Sequence, residues 1–385
     1  MQPYPYNLGG GTVHITKLAK YLISDGHDVS IITSKPGNNQ KPIATPKGLK
    51  IYNVGIKHKI FKNTGIFSAI PNLFYRLLWE MTWIYSAKRK LNQLNPDISN
   101  PQSSVTTALP CSLSKRVFVP SQHGVYISGF KALWKERGSR AALISSKAYE
   151  KMENFNAKRA SLIICAGKGA QEYYSSKFGK NKCRLIYPGI DLEDFSKPNF
   201  SRKKEYLFMA RLTEQKGLEY LISALELLDK QGVKLTLNVV GEGEKEYVQP
   251  IKQKALNLKN IKVNFLGNLV GEEKNKVYAR TKVFISSSIF EPFGIAMVEA
   301  MASGCAVVSA EHDGSKVLVK SGFGKVVPFK GKNERALNLA KAIKDSLKWN
   351  ISKMGQKAIL ESKKYSYESI AKETEKVFKE ALNNA

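Results

Sequence analysis

The chain has 385 residues, of which 43% are hydrophobic and 24% are charged, the composition of a globular protein with room for two domains. Its net charge of +29 lies mostly in the first half, where residues 1–184 hold 28 Lys and Arg against 8 Asp and Glu. This excess favours an anionic partner, such as phosphates, an anionic membrane surface or nucleic acid. The sequence has no signal-peptide pattern and no uncharged apolar run of about 20 residues, which argues against a secreted or membrane-spanning protein.

The cysteines are too scattered for a zinc or redox motif, since Cys111, Cys165, Cys183 and Cys305 share no such spacing. A reducing compartment is the simplest environment for them, so we expect a cytoplasmic protein. Peripheral attachment to the inner face of the membrane, through the basic first half, is an open alternative.

Short β-branched segments alternate with longer amphipathic segments along the chain. The apolar residues between 15 and 22 recur at helical spacing, and a turn-rich stretch without helical period covers 187–204. Strands are predicted at 29–33, 49–54, 116–119, 161–165, 183–187, 205–209, 234–240, 261–266, 282–286 and 305–309, and helices at 216–231, 245–257 and 294–303. This alternation predicts an α/β protein with two doubly wound, Rossmann-like domains of parallel strands. We expect the domains at 1–186 and 205–364, the linker at 187–204 and a terminal helix at 365–385.

The segment after Pro71, residues 72–90, predicts a helix with an unusually wide apolar arc. One stripe contains Leu78, Met81 and Tyr85, and a second stripe beside it contains Trp79 and Trp83; three basic residues follow at 88–90. Aromatic residues and lysines in this arrangement suit a membrane interface. A helix covered on both sides within its own domain would show the same pattern, and the sequence leaves both interpretations open.

Two glutamates lie beside an almost uncharged apolar segment, where a predicted strand gives way to a helix. The helix begins at Gly294, and its free amides favour an anion such as a diphosphate at the carboxyl edge of the sheet. Glu291 precedes the helix and Glu299 lies about one turn inside it, so each could accept hydrogen bonds from hydroxyls on one side of that anion. A ligand with phosphates between two sugars, a nucleoside diphosphate sugar, fits this pattern. A single surface carboxylate near a helix start is nevertheless common.

Cations emerge at the same predicted edge. Arg211 follows the strand 205–209, and Lys216 directly precedes the next helix, so both can neutralise a diphosphate and stabilise its departure. The sequence has no Asp-x-Asp motif to hold a metal ion, so we expect neither a metal nor another cofactor. In the first half, the glycine turn at 9–11 precedes a helix and His123 follows a predicted strand; each is weak evidence alone.

Taken together, these motifs resemble glycosyltransferase family 4, a group of retaining enzymes with the GT-B fold. The resemblance spans nearly the whole chain and includes "LGGGTVHITKLAKYLISDGHDVSIIT", "QHG" and "FMARLTEQKGLEYLISAL". Its most specific part is "FEPFGIAMVEAMASGCAVVS", which contains the two glutamates. The GT-B fold implies two Rossmann-like domains facing each other across a cleft, with the terminal helix crossing back onto the first domain.

The resemblance also implies roles for individual residues. Arg211, Lys216 and the amides at Gly294 would hold the donor diphosphate, while Glu299 would hold the ribose and Glu291 the donor sugar. His123 would lie near that sugar. The implied catalytic residues are His123, Arg211, Lys216 and Glu291, and the implied donor-binding residues are Gly9, Gly10, Arg211, Lys216, Glu291, Phe293, Gly294, Ile295 and Glu299. Transfer in the family needs no metal, and the leaving phosphate is usually proposed to help deprotonate the acceptor.

The chain departs from the family pattern in two places. Where the family has a glycine-rich loop followed by Pro-Glu, this chain has "DGSKVLV". The family also has an apolar strand before the glycine turn, whereas this chain begins with "MQPYPY", so we expect the first domain to lack its first strand and the natural chain to start upstream of Met1.

The leading interpretation is a hexosyltransferase of cell-envelope or polysaccharide biosynthesis, which transfers a sugar from a UDP- or GDP-linked donor to a glycan, lipid-linked or other anionic acceptor. The alternatives are another reaction of a nucleotide sugar such as epimerisation, a catalytically silent sugar-nucleotide-binding protein, and a basic nucleic-acid-binding protein. No arginine-rich or aromatic-interleaved module supports specific nucleic-acid binding.

Overall fold

The computed structural model describes residues 10–36, 44–57, 69–102, 106–123, 140–195, 199–202, 204–328 and 331–385. The strands are β1 Ser30–Ser34, β2 Lys50–Val54, β3 Ser121–Gln122, β4 Ile163–Cys165, β5 Cys183–Leu185, β6 Glu205–Met209, β7 Leu235–Val240, β8 Ile261–Gly267, β9 Thr281–Ser286, β10 Ala306–Ala310 and β11 Gly324–Val327. The helices are α1 Gly10–Ser24, α2 Ala69–Leu94, α3 Leu109–Ser112, α4 Arg140–Arg159, α5 Lys168–Phe178, α6 Leu218–Asp229, α7 Lys245–Leu256, α8 Gly271–Arg280, α9 Ile295–Ala302, α10 Asp313–Leu318, α11 Lys332–Ser346, α12 Ile351–Ser362 and α13 Tyr367–Asn383.

The chain divides into two compact units. Unit 1 comprises Met1–Pro188 together with Tyr367–Ala385, and unit 2 comprises Gly189–Ser366. The described strands of unit 1 form a parallel pair, β1-β2, and a parallel three-stranded sheet, β3-β4-β5. Both units are thus built from parallel strands and crossover helices, which confirms the predicted α/β class with two Rossmann-like domains.

Unit 2 contains a six-stranded parallel sheet with the order β11-β10-β9-β6-β7-β8. The chain runs outward from β6 to β8, then returns to the other side of β6 to form β9. The strand order therefore reverses between β6 and β9, and such a switch point is where open α/β sheets bind ligands. Helix α6 buries Leu218, Leu221, Ile222 and Leu225 in the core beside the sheet, so a rigid layer supports the loop that precedes this helix.

Helix α13 packs on α1 within unit 1. Leu18 and Leu22 of α1 form an apolar cluster with Ala371 of α13. The Tyr21 and Tyr367 rings stack with their centroids 6.4 Å apart. These contacts bury one stripe of each amphipathic helix.

The predicted strand at 116–119 is wrong. Phe118 makes only an isolated bridge to Ser99, and the regular strand is β3 at Ser121–Gln122. The physical reason is proline. Pro101 has no amide hydrogen to donate toward residues 117–121, and Pro120, whose carbonyl accepts from the Ile164 amide, has none to donate toward β4. His123 still follows directly after a strand.

Helix α2 is buried on one side only. Trp79 and Trp83 are 5% and 4% exposed, whereas Met81 and Tyr85 are 68% and 69% exposed. In the described part of the helix, Met81 and Tyr85 therefore lie on an exposed face and Trp79 and Trp83 on a buried one. Among the described residues, no helix combines the length and the hydropathy needed to span a membrane.

Candidate functional site

A pocket of about 320 Å³, counted with the solvent space it opens to, lies at the switch point of unit 2. The carboxyl ends of β6 and β9 and the start of α9 surround it. Its lining consists of Phe208, Met209, Ala210, Phe284, Ile285, Ser286, Ser288, Glu291, Gly294, Ala296 and Met297. The structure thus places Glu291 and Gly294 at the wall of one pocket.

The loop after β6 and the loop after β9 are tied together beside this pocket. The Ile289 amide donates to the Gln215 carbonyl at 2.9 Å, and the Ser287 hydroxyl donates to the Lys216 carbonyl at 3.1 Å. Gly217 has a φ of +66°, and a Cβ there would lie 2.3 Å from the carbonyl oxygen of Ser287. Only glycine allows this close approach without a shift of the backbone. The two loops therefore form one support for the side chains they carry.

That support brings Lys216 and Glu291 together. The Lys216 Nζ lies 2.5 Å from the Glu291 Oε2, and the two side chains are 18% and 22% exposed. The Glu291 carbonyl also accepts from the Gly314 amide at 2.9 Å, which fixes the backbone of the loop. The sequence predicted a phosphate contact for the lysine and a sugar contact for the glutamate, but not that they form a pair. Glu291 lines the pocket, and the ion pair places the Lys216 ammonium directly beside it.

Helix α9 begins beside this pair. Its N-cap is Gly294, with a φ of +104°, and Ile295 is its first residue. The first amides of a helix have no intrahelical acceptor, and the dipole favours an anion at that end. The predicted anion site and the pocket therefore coincide at Gly294.

Glu299 is held by helix α8. Its Oε1 lies 2.7 Å from the Lys274 Nζ, and its Oε2 accepts from the Tyr278 hydroxyl at 2.9 Å. Burial, followed by the charge of Glu299, holds the pKa of Tyr278 well above its usual range, so the hydroxyl stays a donor. Lys274 and Tyr278 were not among the residues predicted from the sequence. Their i, i+4 spacing indicates a shared helix face, but nothing in it connects that face to Glu299.

His312 is a further residue that the sequence analysis missed. Its Nδ1 accepts from the Ser315 amide at 3.0 Å, so the Nε2 carries the proton and lies 3.2 Å from both the Ser286 and the Ser309 hydroxyls. Burial lowers the pKa of His312 to about 4, and the charge of Glu291 opposes this shift. His312 caps α10, the helix formed by the segment that departs from the family pattern. It therefore joins α10 to the end of β9 at the pocket.

Two other predicted residues of unit 2 lie at the edges of this arrangement. Arg211 follows β6 and is exposed. Phe293 is 3% exposed, and its ring meets the Tyr365 ring edge-on at 5.3 Å. The Phe293 side chain therefore packs in the interior of unit 2. Only the backbone of Phe293 is available for the predicted donor contact.

In unit 1 the structure places His123 against α1. Its ring meets the His14 ring edge-on, with the centroids 5.4 Å apart, and its Nε2 lies 2.9 Å from the Gln102 Oε1. Burial lowers the pKa of His123 to about 4, while burial and then the neighbouring His123 lower that of His14 to about 3. Both rings are neutral at pH 7. Gly10 is the first residue of α1, one turn before His14, and the predicted Gly9 lies outside the described residues.

Over the described ranges, no group of three or more His, Cys, Asp or Glu side chains is arranged to hold a metal ion. Among the described residues that line the pocket, Glu291 is the charged one. Lys216 is its ion-pair partner, and Lys274 and Glu299 form a second pair between α8 and α9.

Family models match both units. Residues 8–194 match the model described as glycosyltransferase family 4, and residues 190–364 match the model described as glycosyl transferases group 1. An uncharacterized glycosyltransferase of Methanocaldococcus jannaschii is 28% identical over 405 residues, covering 98% of this chain and 96% of its own length. One subunit of the human phosphatidylinositol N-acetylglucosaminyltransferase is 26% identical over 317 residues, covering 81% of this chain and 60% of its own length.

Solved structures share the fold. Sucrose-phosphate synthase from Thermosynechococcus elongatus has a TM-score of 0.76 at 16% identity, with 98% of this chain and 94% of that chain covered. HepE from Anabaena in complex with UDP-glucose has a TM-score of 0.68 at 19% identity, with 100% of this chain and 98% of that chain covered.

Proposed function

We propose that this chain transfers a sugar from a nucleoside diphosphate sugar to a glycan or lipid-linked acceptor. The chain belongs to the group 1, family 4-like glycosyltransferases with the GT-B fold, which supports this proposal. The observation that carries this proposal is the pair of glutamates flanking the start of α9, each held by a lysine within 2.7 Å or less. A ligand with a central diphosphate and a sugar at each end satisfies both carboxylates and the helix amides at once.

The donor is proposed to bind with its diphosphate at Gly294 and Ile295. Lys216, the ion-pair partner of Glu291, would neutralise one phosphate, and the exposed Arg211 would neutralise the other. Glu299 would accept from the ribose hydroxyls, and its fixed contacts to Lys274 and Tyr278 leave its carboxylate little freedom to reorient. Glu291 would accept from hydroxyls of the transferred sugar. Because HepE is described in complex with UDP-glucose, UDP-sugars are the first donors to test.

The reaction is proposed to retain the anomeric configuration and to need no metal. Negative charge develops on the departing diphosphate, and the Lys216 ammonium and the α9 amides are donors aimed at that region. The anionic phosphate oxygen can then take the proton of the incoming acceptor hydroxyl. Glu291, with its ion pair to Lys216, is proposed to hold the sugar rather than to act as a nucleophile.

The acceptor is proposed to be presented at an anionic membrane surface. In α2, the side chains of Leu78, Met81, Tyr85 and Arg89 share one exposed face, while Trp79 and Trp83 anchor the opposite face. An apolar strip that ends in a cation fits the boundary between acyl chains and lipid phosphates. The net positive charge of residues 1–184 adds long-range attraction to such a surface. The name of the human relative, which refers to phosphatidylinositol, supports a lipid-linked acceptor.

Transfer is tested directly by incubating the protein with UDP-, GDP- and ADP-sugars and measuring nucleotide release, with and without a chelator. Release from one donor class that is indifferent to the chelator and rises when acceptor is added supports the proposal. Binding without release would instead support a silent sugar-nucleotide-binding protein.

A further inference from the structure

His123 stands at the end of a chain of side-chain hydrogen bonds in unit 1. The chain begins at a main-chain carbonyl, that of Val119, which accepts from the Asn100 Nδ2 at 2.5 Å. The same Nδ2 donates to the Ser121 hydroxyl at 2.9 Å. The segment that carries Asn100 is fixed beside residues 117–121, because the Val119 amide donates to the Ser99 carbonyl and the Ser121 amide to the Pro101 carbonyl, each at 2.9 Å.

The carbonyl of Val119 determines the direction of every bond in this chain. A carbonyl can only accept, so the amide nitrogen of Asn100 must face it and the Asn100 Oδ1 must face the other way. That Oδ1 accepts from the Gln102 Nε2, which turns the Gln102 Oε1 toward His123. An acceptor 2.9 Å from the His123 Nε2 requires a proton on that nitrogen.

We propose that Asn100 and Gln102 are positioning residues, which hold His123 as its Nε2–H tautomer so that the Nδ1 lone pair can accept from a substrate hydroxyl. Within the part of the chain that the structure describes, no donor to Nδ1 is found. The identity of that hydroxyl, on the donor sugar or on the acceptor, rests on the proposed transfer reaction. The tautomer itself does not, since the main chain and two amides determine it.

The direct test is ¹⁵N NMR of the wild-type protein labelled in its histidine rings, with the His123 signals assigned by their loss in His123→Gln. The expected result is a protonated Nε2 and an unprotonated Nδ1 at neutral pH. A proton on Nδ1 would overturn the proposal. Because the wild type gives the answer, this measurement does not depend on a variant that folds poorly.

Two substitutions at one position separate the tautomer from stability. Gln102→Glu presents only acceptors, so we expect it to keep the Nε2–H tautomer even though its second oxygen repels the Asn100 Oδ1. Gln102→Leu presents no acceptor, so both tautomers should become populated and kcat should fall by at least about 10-fold, with a smaller change in the donor KM. Gln93→Leu, an exposed change of the same type on α2, is the matched control. An unchanged tautomer in Gln102→Leu would contradict the proposal.

Asn100→Leu tests the relay at a distance, because Asn100 does not contact His123. Loss of the anchor at Val119 lets the Gln102 amide rotate, so we expect a mixture of His123 tautomers. A wild-type tautomer in this variant would limit the positioning role to Gln102. If the ring signals show the expected tautomer but the protein is inactive with every nucleotide sugar, the relay is supported and the proposed function is contradicted.

Discussion

Lys274 and Glu299 form an ion pair with 2.7 Å between Nζ and Oε1, and this pair joins α8 to α9 in unit 2. The Tyr278 hydroxyl, one turn further along α8, donates to the other carboxylate oxygen at 2.9 Å. A carboxylate with both oxygens engaged is fixed in place before a ligand arrives. The proposed donor site is therefore pre-organised by a helix whose own sequence shows no binding motif.

The first prediction concerns Lys274. In Lys274→Met, Glu299 keeps only its tyrosine partner in a partly buried position, so the free energy of unfolding should fall by about 1–2 kcal/mol and the donor KM should rise. Chemical denaturation and steady-state kinetics measure the two effects. Lys276→Met on the same helix removes an exposed pair with Glu272 and should change neither by more than about 0.5 kcal/mol. Equal effects in the two variants would contradict a special role for Lys274.

The second prediction concerns Lys216. If its ammonium stabilises the departing phosphate, Lys216→Met should lower kcat by about 10²–10³ with a smaller change in the donor KM. Lys216→Arg keeps the charge and should retain more activity. Lys230→Met, at the exposed C-cap of α6, serves as the control. A variant that raised only KM would assign Lys216 to ground-state binding instead.

The third prediction concerns the contact between the two loops. Gly217→Ala should destabilise unit 2 by about 2–4 kcal/mol, because the new methyl group meets the Ser287 carbonyl in addition to the unfavourable φ. Gly232 has a similar φ of +71° with no atom within 4 Å of a Cβ, so Gly232→Ala should cost only about 1 kcal/mol. The difference between the two variants in urea denaturation isolates the close approach. Equal destabilisation would show that the loops can separate without cost.

The fourth prediction follows from the buried His312. Its pKa is lowered from 6.5 to about 4, so the unfolded chain binds the proton first as the pH falls. The contribution of neutral His312 to the free energy of unfolding is fully present above pH 6.5. As the pH falls from 6.5 to about 4, about 3 kcal/mol of it is lost. His312→Asn, which can still cap α10, should reduce the slope of unfolding free energy against pH in that window. An unchanged slope would mean that the pKa of His312 is the same in the folded and the unfolded protein.

The fifth prediction concerns the exposed face of α2. The wild type should bind vesicles made of equal parts of phosphatidylglycerol and phosphatidylcholine. It should bind vesicles of phosphatidylcholine alone more weakly. The double variant Met81→Glu and Tyr85→Glu should weaken binding by at least about 10-fold in a flotation assay, because it places two anions on the apolar strip. Leu256→Glu, on the exposed face of α7 in unit 2, is the matched control, since Leu256 is 76% exposed. Similar losses of binding in both variants would mean that binding depends on net charge and not on the exposed face of α2.

The fold was predictable because hydrophobic period is a local property. The strands of unit 2 read as short β-branched runs, and their ends mark the edge of the sheet where Glu291 and Arg211 emerge. The strand near His123 was misplaced because Pro101, which interrupts its ladder, comes from a segment that the sequence pattern did not pair with it.

The partners of the site residues were less accessible to sequence reasoning. The pairing of Lys274 with Glu299 depends on how α8 docks beside α9, which no local pattern encodes. His312 directly precedes the segment where the family pattern is lost, and no motif in the sequence singled it out. The relay through Asn100 and Gln102 depends on a contact between segments about 20 residues apart, fixed by main-chain hydrogen bonds.

Unit 2 is proposed to hold a nucleoside diphosphate sugar through Glu299. The most direct test is the thermal shift of the wild type and of Glu299→Ala with UDP-, GDP- and ADP-sugars. A donor at about 100 times its Kd should stabilise the wild type by about 2.7 kcal/mol, and this shift should disappear in the variant. A shift that survives in Glu299→Ala, or no shift with any donor, would contradict the proposed binding of the donor through Glu299.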